Sequence, residues 1–350
     1  VLGFQMGQRR NDNPADEFHP EIEEARYKSQ FFKLDWQNNL YLTLNHLLIF
    51  GFEEKLEQGS SNYSYLSSWG DYQSDFPRQS ASLASFYLQD QWRPWSQLSL
   101  TSGVRFDHHQ KFGPALTFRL AANYDWSEQQ TRFKFTLGSG FKAPSLYELY
   151  APPDNLGPIG NMSLEPEKNL GWDAGLEKIF FDHLTLSLTY FETRFRNLIQ
   201  FYYGTGYQNV GQARTKGLEL SIKTAPLKNL ELTASWTHLQ ARDLDHQTDL
   251  LRRPKDTFYG NLNFSRKAVR ISSEVYYLGQ RYDLDFSSYP NREVCLRSAF
   301  LVNFFVSYDL KSTTSFFIRG DNLLGTRYEM VYGYGSPGTT ISTGFRLKLS

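Results

Sequence analysis

The sequence predicts an all-β protein, an antiparallel transmembrane β-barrel, and three observations carry that expectation. The first is alternation. Residues Thr339 to Ser350 place Ile341, Thr343, Phe345, Leu347 and Leu349 at one parity and Ser342, Gly344, Arg346, Lys348 and Ser350 at the other. A period of two puts alternate side chains on opposite faces of a strand. The second face here is cationic, so it suits water while the first suits lipid. The second observation is recurrence: Phe300, Val302, Phe304, Val306, Tyr308 and Leu310 alternate with Leu301, Asn303, Phe305, Ser307 and Asp309, and Leu184, Leu186, Leu188 and Tyr190 alternate with Thr185, Ser187 and Thr189. The third is an aromatic content of 28 Phe, 22 Tyr and 7 Trp, which suits the interfacial girdles of a membrane barrel. Mean hydropathy is −0.52. No stretch approaches the roughly eighteen apolar residues of a helical span, but a barrel stays open because half of each strand faces the lumen.

Taken along the chain, residues 1–24 carry the polar, acidic run Asn11 to Glu24 and are expected to be an irregular N-terminal segment or outer loop, with the barrel portion at 25–350. Alternation then places strands near 25–38, 41–54, 79–93, 97–108, 114–126, 131–142, 168–180, 183–199, 208–223, 229–241, 254–265, 268–283, 298–310, 313–324 and 338–349. The links at Asn38–Asn39, Arg93–Ser96, Ser127–Gln130, Phe181–Asp182, Thr224–Lys228, Arg266–Lys267 and Lys311–Ser312 are short. The others are mostly longer, above all 55–78 and 143–167. Bacterial barrels pair short periplasmic turns with long outer loops, which points the long set outward and the C-terminus to the periplasm.

About fifteen strands is an odd number for a bacterial barrel. Left open, the sheet would expose two edges to hydrocarbon at a cost of tens of kcal/mol. The expectation is an incomplete barrel whose remaining strands come from the same or another chain. Val1 is not an initiator methionine and no apolar signal core follows, so either a leader was removed or the natural start lies upstream. The net charge of zero gives no support for bulk attraction to nucleic acid. Cys295 is the sole cysteine, expected in an outer loop as a free or partly buried thiol or paired outside the chain.

Four segments resemble one family. GFKAPSLYEL (Gly140 to Leu149), followed by GNMSLEPEKN (Gly160 to Asn169), resembles the paired boxes around an outer loop of TonB-dependent receptors. NVGQARTKGLELSI (Asn209 to Ile222) and DNLLGTRYE (Asp321 to Glu329) are similar to later strands of that family. The resemblance covers roughly residues 80–350. It implies a barrel of about 22 strands with an N-terminal plug in its lumen, of which this chain would hold the C-terminal two thirds without the plug. The family's usual terminal aromatic would fall just after Ser350. Within the family, LLRRPKDT (Leu250 to Thr257), YLGQRYDLDFSSYP (Tyr277 to Pro290) and RYEMVYGYGSPG (Arg327 to Gly338) most resemble the cobalamin receptors.

That resemblance implies active import of a bulky nutrient, cobalamin or another corrinoid, energised by the TonB complex acting through the plug. Siderophore or other metal-chelate import and a passive diffusion channel are the alternatives. It also implies that Arg252 contacts the corrinoid, and a forked guanidinium at the outer mouth suits amide and phosphate oxygens. Tyr282, Ser287, Ser288 and Tyr334 lie in adjacent outer loops and offer hydroxyl and aromatic contacts to a large amphipathic ligand. The pairs Asp243/Asp245 and Asp283/Asp285 have calcium-like spacing but lack further oxygen ligands, so solvated loop charges are the expectation. His108 and His109 point to opposite faces if extended, a poor geometry for a shared metal. No histidine occurs in 142–164, where a haem receptor of the family would carry its ligand. No diagnostic catalytic motif is present, and no enzyme activity or cofactor is expected.

Overall fold

The computed structural model describes residues 2–14, 21–68, 70–154, 157–202, 204–287 and 290–348, with the side chains of residues 2, 4 and 210 left aside. Twenty strands follow in chain order: β1 (Leu2–Asn13), β2 (Ile22–Thr43), β3 (His46–Leu66), β4 (Tyr72–Trp95), β5 (Leu98–His109), β6 (Gly113–Trp126), β7 (Thr131–Lys142), β8 (Glu167–Phe180), β9 (Leu184–Tyr202), β10 (Gly206–Leu227), β11 (Leu230–Asp243), β12 (Asp256–Arg266), β13 (Val269–Leu278), β14 (Arg281–Asp285), β15 (Arg292–Leu296), β16 (Ala299–Lys311), β17 (Thr314–Asp321), β18 (Glu329–Val331), β19 (Tyr334–Gly335) and β20 (Thr340–Leu347). Sixteen form one sheet in chain order, β1 to β13 and then β16, β17 and β20. The hairpins β14–β15 and β18–β19 stand outside it, on two connections. Among the described residues, helix is confined to a 3-10 turn at Ser127–Gln129 and to α1 (Leu146–Tyr150).

Each strand expected from alternation is present, and three expectations change. Leu2–Asn13 is not irregular: β1 pairs with β2 from Leu2↔Leu34 to Asn13↔Glu23, which brings the sheet to sixteen strands rather than fifteen. Its polar half from Gln8 onward has no apolar period, and backbone bonding to β2 holds it extended. The tract 55–78 is not a long loop, because β3 continues to Leu66 and β4 begins at Tyr72. Its Ser, Asn and Gln side chains hide a strand from any apolar pattern. Asn38 and Asn39 read as a turn yet stay paired with Phe50 and Ile49, and the reversal falls at Leu44–Asn45.

The chain divides into two compact units, one of Val1–Ala122, Thr136–Gly171 and Arg194–Gln212, the other of Asn123–Phe135, Trp172–Thr193 and Ala213–Ser350. In the first, Phe86 and Leu88 of β4 stand beside Phe106 and Val104 of β5 on an exposed apolar face. The opposite face of these strands is ionic: Arg105 reaches Asp107 at 2.9 Å and Glu53 at 3.1 Å, and Lys33 reaches Glu53 at 2.7 Å. The second unit repeats the scheme, with Phe300, Phe304 and Tyr308 exposed on β16 and Lys134 paired to Glu177 at 2.7 Å. The largest fully buried side chains are Asp107, Asp283 and Ser85, whereas Phe86 is 59% and Leu116 70% exposed. A protein folding in water alone reverses that order.

Gly217 is required by close approach. A Cβ there would overlap the carbonyl oxygen of His238 on β11 and press on the Phe191 ring at 2.8 Å. Gly217→Ala is expected to destabilise the fold by about 1–3 kcal/mol through forced backbone shifts, measured as a lowered urea midpoint in detergent. An unchanged midpoint would show that β10 and β11 have slack here.

Candidate ligand-binding site

The outer-loop residues singled out from sequence belong to the second unit, where one carboxylate ties three segments together. Asp283 of β14 is 0% exposed. Its Oδ1 accepts from Arg252 Nε and from the Leu284 amide, each at 2.8 Å, and its Oδ2 accepts from the Tyr332 amide at 2.8 Å. Arg252 is fixed from its backbone as well: its amide donates to the Tyr282 carbonyl at 2.7 Å, with φ at 59°. The connection after β11, the β14–β15 hairpin and the β18–β19 hairpin are thereby joined. Burial pushes the Asp283 carboxyl up, but the Tyr332 amide, the Arg252 guanidinium and the Leu284 amide outweigh it and hold the group below the usual carboxylate range.

Arg281, two residues before, is 2% exposed and donates to the carbonyls of Glu329 and Gly279. Burial pulls its guanidinium below the ordinary arginine value, against the opposing charge of Asp283. Neither Asp283 nor Arg281 was singled out from sequence as a rim fastener. The signal was the Arg-x-Asp-x-Asp alternation in residues 281–285, which puts all three charged side chains on one buried face.

Arg252 keeps 37% of its side chain exposed, with one nitrogen engaged by Asp283 and the rest of the fork without a partner among the described residues. Tyr282 is 44% and Tyr334 75% exposed. Ser287 builds a turn, its hydroxyl donating to Asp285 at 2.6 Å and its amide to the same oxygen at 3.0 Å. Ser288 lies outside the described residues. The structure thus brings Arg252 and Tyr282 into contact through the backbone and ties the Tyr334 hairpin to them through Tyr332. Cys295 is free and exposed on β15; with Arg297, Arg327, Tyr328 and Tyr332 it lines a cavity of about 760 Å3.

The acidic pairs are occupied by protein. Asp243 accepts from the amides of Asp245 and His246, and His246 Nδ1 lies 2.9 Å away, so the carboxylate closes a turn. Among the described residues no group of three His, Cys, Asp or Glu side chains is placed to hold a metal. His108 is exposed and His109 buried, on opposite faces.

In the first unit the two boxes fasten a loop. Ser145 and Glu148 cap α1 reciprocally, Asn161 donates to the Tyr207 carbonyl at 2.9 Å, and Asn209 accepts from the Glu165 amide at 2.6 Å. The motif residues there serve loop architecture.

The model of the TonB dependent receptor-like β-barrel matches residues 3–323. The chain belongs to the TonB-dependent receptor family. Vitamin B12 transporter BtuB of Vibrio cholerae serotype O1 is 32% identical over 251 residues, which cover 69% of this chain and 38% of that protein. The chain therefore spans well under half the length of the curated relatives it matches. Among solved structures, the copper transporter OprC superposes with a TM-score of 0.80 at 16% identity, over 99% of this chain and 61% of the other. The ferric enterobactin receptor PfeA does so at 0.77 and 19%, over 99% and 59%. The siderophore receptor PirA from Acinetobacter baumannii gives 0.76 and 15%, over 98% and 59%. At those identities the structural likeness speaks for the fold, and the receptor's cargo needs other evidence.

Proposed function

We propose that the protein imports cobalamin or another corrinoid across the outer membrane of a Gram-negative bacterium, by TonB-dependent transport in which no bond is made or broken. The observation that carries this reading is the 32% identity over 251 residues to a protein named a vitamin B12 transporter. The resemblance of the Leu250, Tyr277 and Arg327 segments to cobalamin receptors supports it. Arg252, with Tyr282, Ser287 and Tyr334, forms the ligand-facing rim in this reading, and its free guanidinium edge meets amide or phosphate oxygens. The exposed apolar faces meet lipid, and TonB acts through the family's plug domain. A siderophore or other metal chelate is the second cargo, favoured by the names of PfeA and PirA.

Cyanocobalamin binding to outer-membrane preparations from cells that make the protein, against cells lacking it, tests the cargo. Saturable binding is expected, weakened by Arg252→Ala by about 1.5–3 kcal/mol, the worth of a hydrogen bond to a charged group. Protease sensitivity of the β14–β15 hairpin separates loss of a contact from loss of the rim. Tight ferric siderophore binding without cobalamin binding would replace the cargo.

A further inference from the structure

A second cavity lies in the first unit, on strands where no site was expected. The distal halves of β2, β3 and β4, remote from the turn at Leu44–Asn45, border with α1 an open space of about 860 Å3. A break in register creates it. Between Gly59 and Ser61 of β3, the partner on β4 moves three residues, from Gln79 to Phe76, for two on β3. Pro77 sits in this bulge, where its missing N–H costs no ladder bond. On the turn side of the bulge, even-numbered β4 residues such as Phe86 and Leu88 occupy the exposed apolar face. Beyond it the parity exchanges: Phe76 is 5% exposed and Tyr72 and Ser74 are half-buried, while Gln73 and Asp75 are exposed. The extra residue has turned the rings of β4 toward those of β2 and β3.

Ring faces and hydroxyls are prominent in the walls. Tyr63 lies 6.0 Å from Tyr72, and Tyr147 of α1 meets Phe76 nearly edge-on at 5.7 Å and 65°. Tyr27, 46% exposed, and Phe31 contribute the rings of β2, with Ser29, Ser61 and Ser74 also in the lining. Two charged residues border the space, Glu57 and Lys28: Glu57 is paired with Lys55 at 2.9 Å, Lys55 lies 5.3 Å over the Phe31 ring, and Lys28 has the opposite parity of β2. Aromatic rings outnumber these charges, so a flat, uncharged ring would stack on aromatic faces and hydrogen-bond at its edge. We propose that this cavity takes an uncharged planar aromatic group. Resting on the corrinoid reading above, that group is the dimethylbenzimidazole base of cobalamin.

The test compares three probes on the same outer-membrane preparations: cyanocobalamin, dicyanocobinamide, which lacks the base, and free dimethylbenzimidazole. Tyr27→Ala and Tyr63→Ala are each expected to weaken cyanocobalamin about tenfold, as loss of one stacking ring does, and to leave dicyanocobinamide unchanged. Tyr63→Phe should restore binding, because the ring and not the hydroxyl does the stacking. Free dimethylbenzimidazole should bind weakly and saturably, and Tyr63→Ala should abolish it. Cyanocobalamin held equally by wild type and alanine variants would overturn the cavity assignment and leave the corrinoid reading standing. So would equal weakening of cyanocobalamin and dicyanocobinamide, which would mark damage to the fold. Binding of dimethylbenzimidazole alone, lost in Tyr63→Ala, with no corrinoid binding, would keep the aromatic cavity and remove the cargo. Binding of none of the three overturns both.

Discussion

Asp283→Ala is expected to cost about 3 kcal/mol of local stability and to release both outer hairpins together. The substitution leaves three donors, Arg252 Nε and the Tyr332 and Leu284 amides, without their acceptor. Breaking a buried ion pair from one side costs about 3–5 kcal/mol. The lower end applies because Arg252 is 37% exposed and solvent screens its charge. Asp283→Asn keeps an acceptor and should fall between wild type and alanine. Hydrogen exchange at Tyr332 and Leu284, and protease cleavage within 281–296 and 329–335, read the effect. Unchanged protection in Asp283→Ala would show that the hairpins stand without this residue. The pH dependence has a definite sign: the native pKa of Asp283 lies below its unfolded value. Its stabilisation is therefore present above about pH 4, the ordinary carboxylate value, and is lost as pH falls through the lower native value.

Leu88→Arg should destabilise insertion into lipid by about 2–4 kcal/mol, the cost of a cation at the middle of a barrel's apolar band. Leu88 is 45% exposed beside Val104, and seven residues separate it from the end of β4 at Trp95. At about 3.3 Å per residue on a strand tilted near 45°, that places it about 16 Å from the strand end, well inside an apolar band about 25 Å tall. Gln89→Arg, one residue on and facing the ionic side, should be tolerated. Folding titrations into lipid vesicles compare the two. Equal tolerance would mean that the exposed apolar face does not meet hydrocarbon.

Alternation made the strands legible wherever one face is apolar, as on β5 and β16, because burial in lipid and exposure to the lumen demand opposite side chains. It failed where that contrast ends. The polar half of β1 and the distal half of the β3–β4 hairpin have no apolar face to reveal them, and Asn38–Asn39 carried turn chemistry inside a paired strand. The rim was half legible. The segment holding Arg252 was recognisable, but its ion pair with Asp283 joins residues 31 apart. The Tyr332 amide that completes the knot has no side-chain signature at all. The ring-lined cavity was hidden for a third reason: a one-residue bulge at Pro77 reverses the parity of Tyr72, Ser74 and Phe76, and period-two reasoning carried across it assigns those side chains to the wrong face.

Accumulation of radiolabelled cyanocobalamin by living cells tests the central claim most directly. The protein should confer saturable uptake that stops when TonB is removed or the proton motive force is collapsed, while binding at the cell surface persists. Accumulation that is independent of energy and accompanied by rapid entry of unrelated small solutes would contradict the account and make the protein a passive channel.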